Sequence, residues 1–404
     1  MHQSSGARMQ RRQKGQKRGS SRGLCIMNTL SEANGTFAIH LLKILCQNNP
    51  SKNVCYSPVS ISSALAMVLL GAKGDTAVQI SQALCLNTEE DIHQGFRGLL
   101  SNLNKPNRKY LLRMANRLFA EITYEFLPTF KESCLQFYNS ELEQLSFAKA
   151  PEKSRKHINK WVSKQTEGKI PELLSDDSDD LETRLVLVNT LYFKGRWHEE
   201  FDKEDTREMP FKINLKEERP VQMMRQEDRF NLAHVNEVQA QVLEMPYEGM
   251  ELSLLVLLPD DGVDLSQVEN KFTFEMLTTW TKPDFMKSTM VEVFLPKFKL
   301  QEDYDMKSVF QHLGMVDVFQ GDKADLSGMS PKRDLCVSKF VHKSIVEVNE
   351  EGTEATAASA GKDVLYCDYD DDDVPTFCAD HPFLFFIRHN KTNSLLFCGR
   401  FSSP

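Results

Sequence analysis

Residue types that could bind phosphate or zinc, or act as nucleophiles, occur in this chain without the spacing that such chemistry needs. Residues 71–76 (GAKGDT) have the glycines, lysine and threonine of a phosphate-binding loop in the wrong order. The HEE segment at 198–200 is not followed by the second histidine of a zinc protease motif, and the ten histidines show no ligand spacing. The sequence holds neither G-x-S-x-G nor G-x-G-x-x-G. We therefore expect no catalytic residue, metal or cofactor.

A run of aspartates at 363, 368 and 370–373 could attract calcium. An EF-hand calcium loop needs glycine at its sixth position and glutamate at its twelfth. Counting from Asp368, those positions hold Asp373 and Ala379, so this type of loop is excluded. We expect the run to be a solvated acidic loop.

The most informative segment runs from Val346 to Gly361 (VEVNEEGTEATAASAG). It begins as a strand, and after Gly352 its side chains become very small. If the segment were extended, residues 353, 355, 357, 359 and 361 would share one face, and all are compact. This composition suits a loop in one state that becomes a central strand in another, and it also suits a flexible linker.

Charge is distributed unevenly along the 404 residues. The chain has 49 basic and 57 acidic residues, a net charge of −8, whereas residues 1–26 carry seven basic side chains and no acidic one. The other 378 residues therefore carry −15, which does not favour nucleic-acid binding through a broad face. We expect 1–26 to be a basic, disordered tail. A nucleic-acid partner is not expected, although this tail is the feature that could hold one.

The cysteines and the N-terminus indicate the compartment. Nine cysteines make an odd number and none forms a C-x-x-C pair, which favours free thiols in a reducing compartment. The N-terminal residues lack the apolar stretch of a secretory signal, and the apolar runs are too short to cross a bilayer. We expect a cytoplasmic monomer without a membrane partner, with the nucleus as a second location.

Helix signals dominate the first part of the chain and strand signals the second. Capping residues and apolar periodicity predict helices at 29–45, 60–70 and 158–166. Continuous apolar runs predict buried strands at 185–193, 252–258, 291–294 and 344–348, and a polar turn predicts a hairpin at 383–401. This order predicts an α+β fold, with helices packed on one large sheet.

Four segments, in the correct order, resemble motifs of the serpin family. NVCYSPVSIS at 53–62 resembles the entry to the helix behind the main sheet, and NTLYFKGRW at 189–197 the strand and turn beneath the insertion site. Residues 346–360 resemble the proximal hinge of the reactive-centre loop, and FCADHPFLFFI at 377–387 the C-terminal signature. Within the family, the chain is similar to the intracellular ovalbumin-type clade and most of all to its granzyme-inhibiting members.

The resemblance implies one serpin domain over 27–404, in which helices surround a large central mixed sheet with smaller sheets beside it. A reactive-centre loop is implied at about 350–376. The family acts as suicide substrates of serine proteases and not as enzymes: the protease cuts the loop, is held as an acyl-enzyme, and is distorted when the loop inserts into the sheet. The hinge that must insert comprises Gly352, Thr353, Glu354, Ala355, Thr356, Ala357 and Ala358.

The bond that the protease cuts has two candidate positions. Counting forward from the hinge by the family's usual loop length gives Tyr366, followed by Cys367. Counting back from Phe377 gives Asp368, followed by Tyr369. Tyr366, which we favour, suits the apolar pocket of a chymotrypsin-like protease. Asp368 suits a granzyme B-like serine protease or a caspase-like cysteine protease.

The distal half of the loop departs from the family pattern, and this leaves an alternative function. A non-inhibitory serpin would act as a protease substrate or as a binding protein. Its marker would be a clean cut in the loop without a stable complex.

Overall fold

The structure is a computed structural model that describes residues 29–86, 91–105, 109–175, 182–304, 306–353 and 374–404. The basic tail at 1–26 and the aspartate run lie outside the described residues. The same is true of these predicted loop residues: Glu354, Ala355, Thr356, Ala357, Ala358, Tyr366, Cys367, Asp368 and Tyr369.

Nine α-helices lie in the described ranges, and they include the three that the sequence predicts. They are α1 (29–48), α2 (Pro58–Gly71), α3 (Gly74–Ala83), α4 (Ile92–Leu103), α5 (Pro128–Tyr138), α6 (Pro151–Gln165), α7 (Leu265–Lys271), α8 (Phe274–Trp280) and α9 (Met306–His312). Helix α2 begins where Ser57 accepts a hydrogen bond from the Ser60 backbone and proline occupies the first turn. None of these helices is long and apolar enough to span a membrane.

The strands include every one that the sequence predicts. They are β1 (Val54–Tyr56), β2 (Tyr110–Glu121), β3 (Leu142–Leu145), β4 (Leu185–Arg196), β5 (Arg207–Asn214), β6 (Glu217–Val235), β7 (Ala240–Pro246), β8 (Leu252–Pro259), β9 (Lys287–Pro296), β10 (Phe298–Asp303), β11 (Lys339–Asn349), β12 (Gly352–Thr353), β13 (Thr376–Cys378), β14 (Phe383–His389) and β15 (Ser394–Phe401). The predicted hairpin is β14 and β15, which pair antiparallel.

The strands form two mixed sheets. One has nine strands in the order β1-β15-β14-β8-β7-β6-β9-β13, with β5 paired to β6. The other has six strands in the order β10-β11-β12-β4-β2-β3, and its β4 and β11 also pair directly, in parallel. The α+β prediction is confirmed. The small-residue segment begins in β12, so the six-stranded sheet is the one that concerns function.

Two clusters of buried apolar side chains cover the two faces of the six-stranded sheet. Leu187 and Leu191 of β4 belong to the larger cluster, which includes α2 and the nine-stranded sheet. Val186 of β4 and Ile345 of β11 belong to a smaller cluster with Ile158 of α6. Side chains alternate along a strand, so odd residues of β4 face the larger core and even residues face α6.

Candidate functional site

The small-residue segment leaves β11 through a tight turn. Oδ1 of Asn349 accepts hydrogen bonds from the backbone N–H groups of Glu351 and Gly352, each at 3.1 Å. Gly352 has a φ of +144°, and a Cβ there would lie 2.1 Å from the carbonyl oxygen of Gly195 on β4. The close approach and the positive φ both require glycine at this position.

Strand β12 lies between β11 and β4 and pairs antiparallel with both. Thr353 is opposite Val348 on β11 and Gly195 on β4. Farther from the turn, β11 and β4 come together as parallel neighbours, with Lys339–Ile345 paired to Val186–Tyr192. The two strands have therefore diverged only at the end where β12 enters.

An aromatic cluster holds Thr353. Its side chain is fully buried, and its hydroxyl lies 2.9 Å from the hydroxyl of Tyr247. The Tyr247 ring stacks on Trp197 at 4.7 Å with an interplanar angle of 13°, and Nε1 of Trp197 donates to the Asn349 carbonyl at 2.9 Å. Burial raises the pKa of Tyr247, so its hydroxyl stays protonated and can donate to Thr353.

Lysines hold the two glutamates of the turn, Glu350 and Glu351. The buried Glu350 carboxylate lies 3.0 Å from Nζ of Lys297 and accepts from the Thr206 hydroxyl at 2.9 Å. Burial alone would raise the pKa of Glu350, but hydrogen bonds from Lys297 and Thr206 lower it overall. Lys203 donates to Glu351 at 2.5 Å, which raises the pKa of Lys203. Charge-assisted hydrogen bonds thus fix the base of the segment.

A buried polar network joins β4 and β11 below β12. Nε2 of His342 accepts from the backbone N–H of Ser57 at 3.0 Å, and Nδ1 is hydrogen-bonded to Oδ1 of Asn189. Complete burial lowers the pKa of His342 to about 3, so the ring is neutral. A neutral ring that accepts at Nε2 carries its proton on Nδ1, which therefore donates to Asn189. Separating β4 from β11 would break this hydrogen bond.

The described chain resumes at Val374 and forms β13 on an edge of the nine-stranded sheet, in parallel with β9. Just beyond it, Asp380 accepts from His381 Nδ1 at 2.8 Å, and His381 Nε2 bonds to the Pro259 carbonyl at 2.8 Å. Burial would lower the pKa of His381, but the hydrogen bond to Asp380 and its charge raise it overall. The protonated ring can donate from both nitrogens, so it suits this position.

Asp261, Asp380 and His381 offer ligand atoms within 4.8 Å of one another, as a metal site would. Nζ of Lys212 lies 2.9 Å from Asp380 and 3.9 Å from Asp261. A lysine therefore supplies the positive charge that the carboxylates need, and both nitrogens of His381 are already engaged. We assign this cluster a structural role beside β13.

Comparison with known proteins decides the family. Residues 32–404 match the family model described as Serpin (serine protease inhibitor). The chain belongs to the serpin family. It is 71% identical to Serpin B9 of Homo sapiens over 378 residues, which cover 94% of this chain and 100% of that protein. It is 57% identical to Serpin B6 of Macaca fascicularis over 381 residues, with the same two coverages. The structure of uncleaved ovalbumin, 37% identical, matches with a TM-score of 0.83 over 93% of this chain and 100% of that one.

These relatives confirm the resemblance to serpins of the ovalbumin-type clade, and with it the predicted fold. The protein is a serine protease inhibitor and not an enzyme. Of the predicted hinge, the structure describes Gly352 and Thr353, which form β12. The candidate scissile bonds lie outside the described residues.

The side chains that contact the serpin hinge, or form the polar network below it, were not predicted as site residues from the sequence. Asn189 and Trp197 lie within the NTLYFKGRW segment, so that motif carried a signal for them. Tyr247, Lys297 and His342 come from distant strands or strand ends, and no local pattern distinguishes them. Only their contacts with the hinge and with Asn189 identify them.

Proposed function

We propose that this serpin is an intracellular suicide-substrate inhibitor, whose reactive-centre loop traps a serine protease as an acyl-enzyme and then inserts into the six-stranded sheet. The proposed cut follows Tyr366, before Cys367, and the bond between Asp368 and Tyr369 is the alternative. A chymotrypsin-like protease fits the first bond. A granzyme B-like protease fits the second, and a cysteine protease is the second class of target.

We also propose how the chain is organised and where in the cell it acts. Residues 27–404 form one domain that acts as a monomer, and residues 1–26 are a basic tail. The odd number of cysteines supports a reducing compartment. We propose the cytoplasm as the main location and the nucleus as the second.

The observation that carries the proposal is the register of β12. Thr353 pairs with Val348 and Gly195, so a further residue n in the same register would lie opposite residue 701 − n of β11 and 548 − n of β4. Residues 354 and 355 would enter where the strands have already diverged. Residues 356–362 would replace the seven parallel pairs that run from Ile345–Tyr192 to Lys339–Val186.

The side chains of the segment suit this inserted position. Odd residues would share the face of Thr353, which points into the core, and they are the compact ones. Ser359 would lie opposite Asn189 and His342, whose hydrogen bond breaks when the strands separate. Its hydroxyl can accept from Nδ1 of His342 and donate to Oδ1 of Asn189. The inserted strand would thus restore the polar network that it opens.

Incubation with chymotrypsin, granzyme B, an elastase and trypsin tests the mechanism. We expect an SDS-stable complex with chymotrypsin and a released C-terminal peptide that begins at Cys367. A peptide that begins at Tyr369, with a granzyme B complex, would assign the alternative bond. Cleavage by these proteases without any complex would contradict the proposal and favour a non-inhibitory serpin.

The variant Thr353→Arg tests whether trapping of the protease needs the hinge to enter the sheet. The Thr353 side chain is fully buried against Tyr247, so an arginine has no space there without displacing the cluster. The variant should be cut at the same bond but should form little or no complex, because insertion is blocked after cleavage. A full yield of complex from this variant would show that trapping does not need the hinge to enter the sheet.

A further inference from the structure

Helix α6 and the chain that follows it lie across the boundary between β4 and β11. Their apolar side chains form one buried cluster with residues of β2, β4 and β11. The cluster members are Phe119, Phe147, Ile158, Val162, Ile170, Leu173, Leu174, Val186, Val188 and Ile345. We call α6 with residues 170–174 the clamp, since it contacts both strands that insertion must separate.

A buried asparagine fastens the two parts of the clamp to each other. Oδ1 of Asn159 accepts from the backbone N–H groups of Leu173 and Leu174 at 3.0 and 2.8 Å. Its Nδ2 donates to the Leu174 carbonyl at 2.9 Å. Helix α6 and residues 170–174 are thus held together by three hydrogen bonds from one side chain, and we expect them to move as one body.

A series of contacts between polar side chains ties α6 to strands β2 and β3. His157 of α6 is hydrogen-bonded through Nε2 to Glu143 of β3 at 2.6 Å, and the other oxygen of Glu143 accepts from Arg117 of β2 at 2.8 Å. Arg117 also pairs with Glu141 at 2.9 Å, and its guanidinium group lies 4.8 Å from the ring centroid of Trp161 on α6. We call His157, Glu143 and Arg117 the latch.

We propose that the latch controls how readily the clamp releases β4 and β11, which makes His157 a positioning residue for loop insertion. The inference rests on the proposed function. A strand that enters between β4 and β11 separates them by about one further strand spacing, 4.8 Å, and directs its even-numbered side chains toward α6. The helix has to rise to admit them, and the hydrogen bond from His157 to Glu143 has to break for it to rise.

The expected effect is modest because the latch is partly exposed. The side chains of His157 and Glu143 are 48% and 29% exposed, and polar contacts between partly exposed side chains contribute little. Loss of this contact should therefore change the insertion rate by about 3-fold, within the range known for such pairs. A larger change would mean that the substitution had loosened the apolar cluster as well.

The test measures insertion without a protease. The intact protein is incubated with a synthetic peptide of residues 353–364, and its uptake is followed on native gels and as a gain in heat resistance. His157→Ala should take up the peptide about 3-fold faster than the unaltered protein, as a broken pair of this kind allows. His157→Lys provides a donor for Glu143 again and should return the rate toward the original value.

Lys156→Ala is the matched control. Lys156 is the neighbouring residue on α6, and its 2.5 Å pair with Glu152 lies within the helix and does not reach the sheet. Its uptake rate should equal that of the unaltered protein. Equal rates for Lys156→Ala and His157→Ala, with normal uptake, would overturn the role of the latch but leave the proposed function intact. Failure of every form to take up the peptide would overturn both.

Discussion

A buried hydroxyl without a partner lies in the middle of β4. Thr190 is fully buried, and its Oγ1 has no hydrogen-bond partner among the residues that the structure describes. A hydroxyl left unpaired in this way costs about 1–3 kcal/mol. The register continued from β12 puts Ala358 opposite Thr190, so insertion would not supply a partner. The cost should be the same in the native and the inserted state.

Thr190→Val should therefore stabilise the uncleaved and the cleaved protein equally, by about 1 kcal/mol, without changing the stoichiometry of inhibition. Urea unfolding of both forms and titration of the protease measure the two quantities. Thr281→Val is the control of opposite sign, since the Thr281 hydroxyl donates to Leu277 at 2.8 Å and accepts from Arg388 at 2.7 Å. A stabilised Thr190→Val that inhibits less well would mean that Thr190 gains a partner on insertion.

The sequence predicts the elements whose two faces are both buried. Strands β4 and β8 have no exposed residue, and their continuous apolar runs predict them as buried strands. Strands β2 and β6 were not predicted, because polar and charged residues interrupt the apolar pattern of each strand. In β2, Arg117 belongs to the latch, and in β6 buried residues are interspersed with exposed polar and charged ones. Such a strand is recognised only through its partner strands.

The hinge was predictable for a different reason. Compact residues at alternate positions, with a glycine before them, suit a strand that has to enter an existing sheet. Gly352 has the close contact with Gly195 that this composition requires. Which residues the incoming strand would meet could not be known from sequence, since this depends on the register between β12 and its two neighbours.

That register makes Ser359 the residue of the loop whose polarity matters most after insertion. Ser359→Val should lower the heat resistance of the cleaved protein, because His342 and Asn189 would face an apolar side chain and lose about 1–3 kcal/mol of hydrogen bonding. Thr356→Val, on the face toward α6, is the matched control and should have a much smaller effect. Differential scanning calorimetry of the cleaved forms compares them. If Thr356→Val proved the more damaging, the register would be shifted by one residue.

At the scale of the whole molecule, two histidines, the buried His342 and the partly buried His381, give the stability opposite dependences on pH. Burial lowers the pKa of His342 to about 3, so between pH 6.5 and 3 a proton binds to this histidine in the unfolded chain but not in the native one. Acid therefore destabilises the native state through His342. The pKa of His381 is raised instead, mainly through Asp380 and despite burial. Its contribution is complete below pH 6.5 and is lost as the pH rises through the native pKa.

We therefore expect the free energy of unfolding to fall on acidification from pH 6.5 to 4.5, by up to about 1.4 kcal/mol per pH unit from His342 alone. His342→Gln should reduce the slope of the free energy of unfolding against pH in this acid range, which we call the acid limb. The slope tests the prediction even if the variant is less stable at every pH. His381→Gln should leave the slope between pH 6.5 and 4.5 unaffected and remove a stabilising contribution that grows as the pH falls toward 6.5. Urea unfolding at half-unit steps of pH gives both slopes. An acid limb that is equally steep in His342→Gln would mean that the carboxylates, among them Glu350 with its lowered pKa, account for the loss instead.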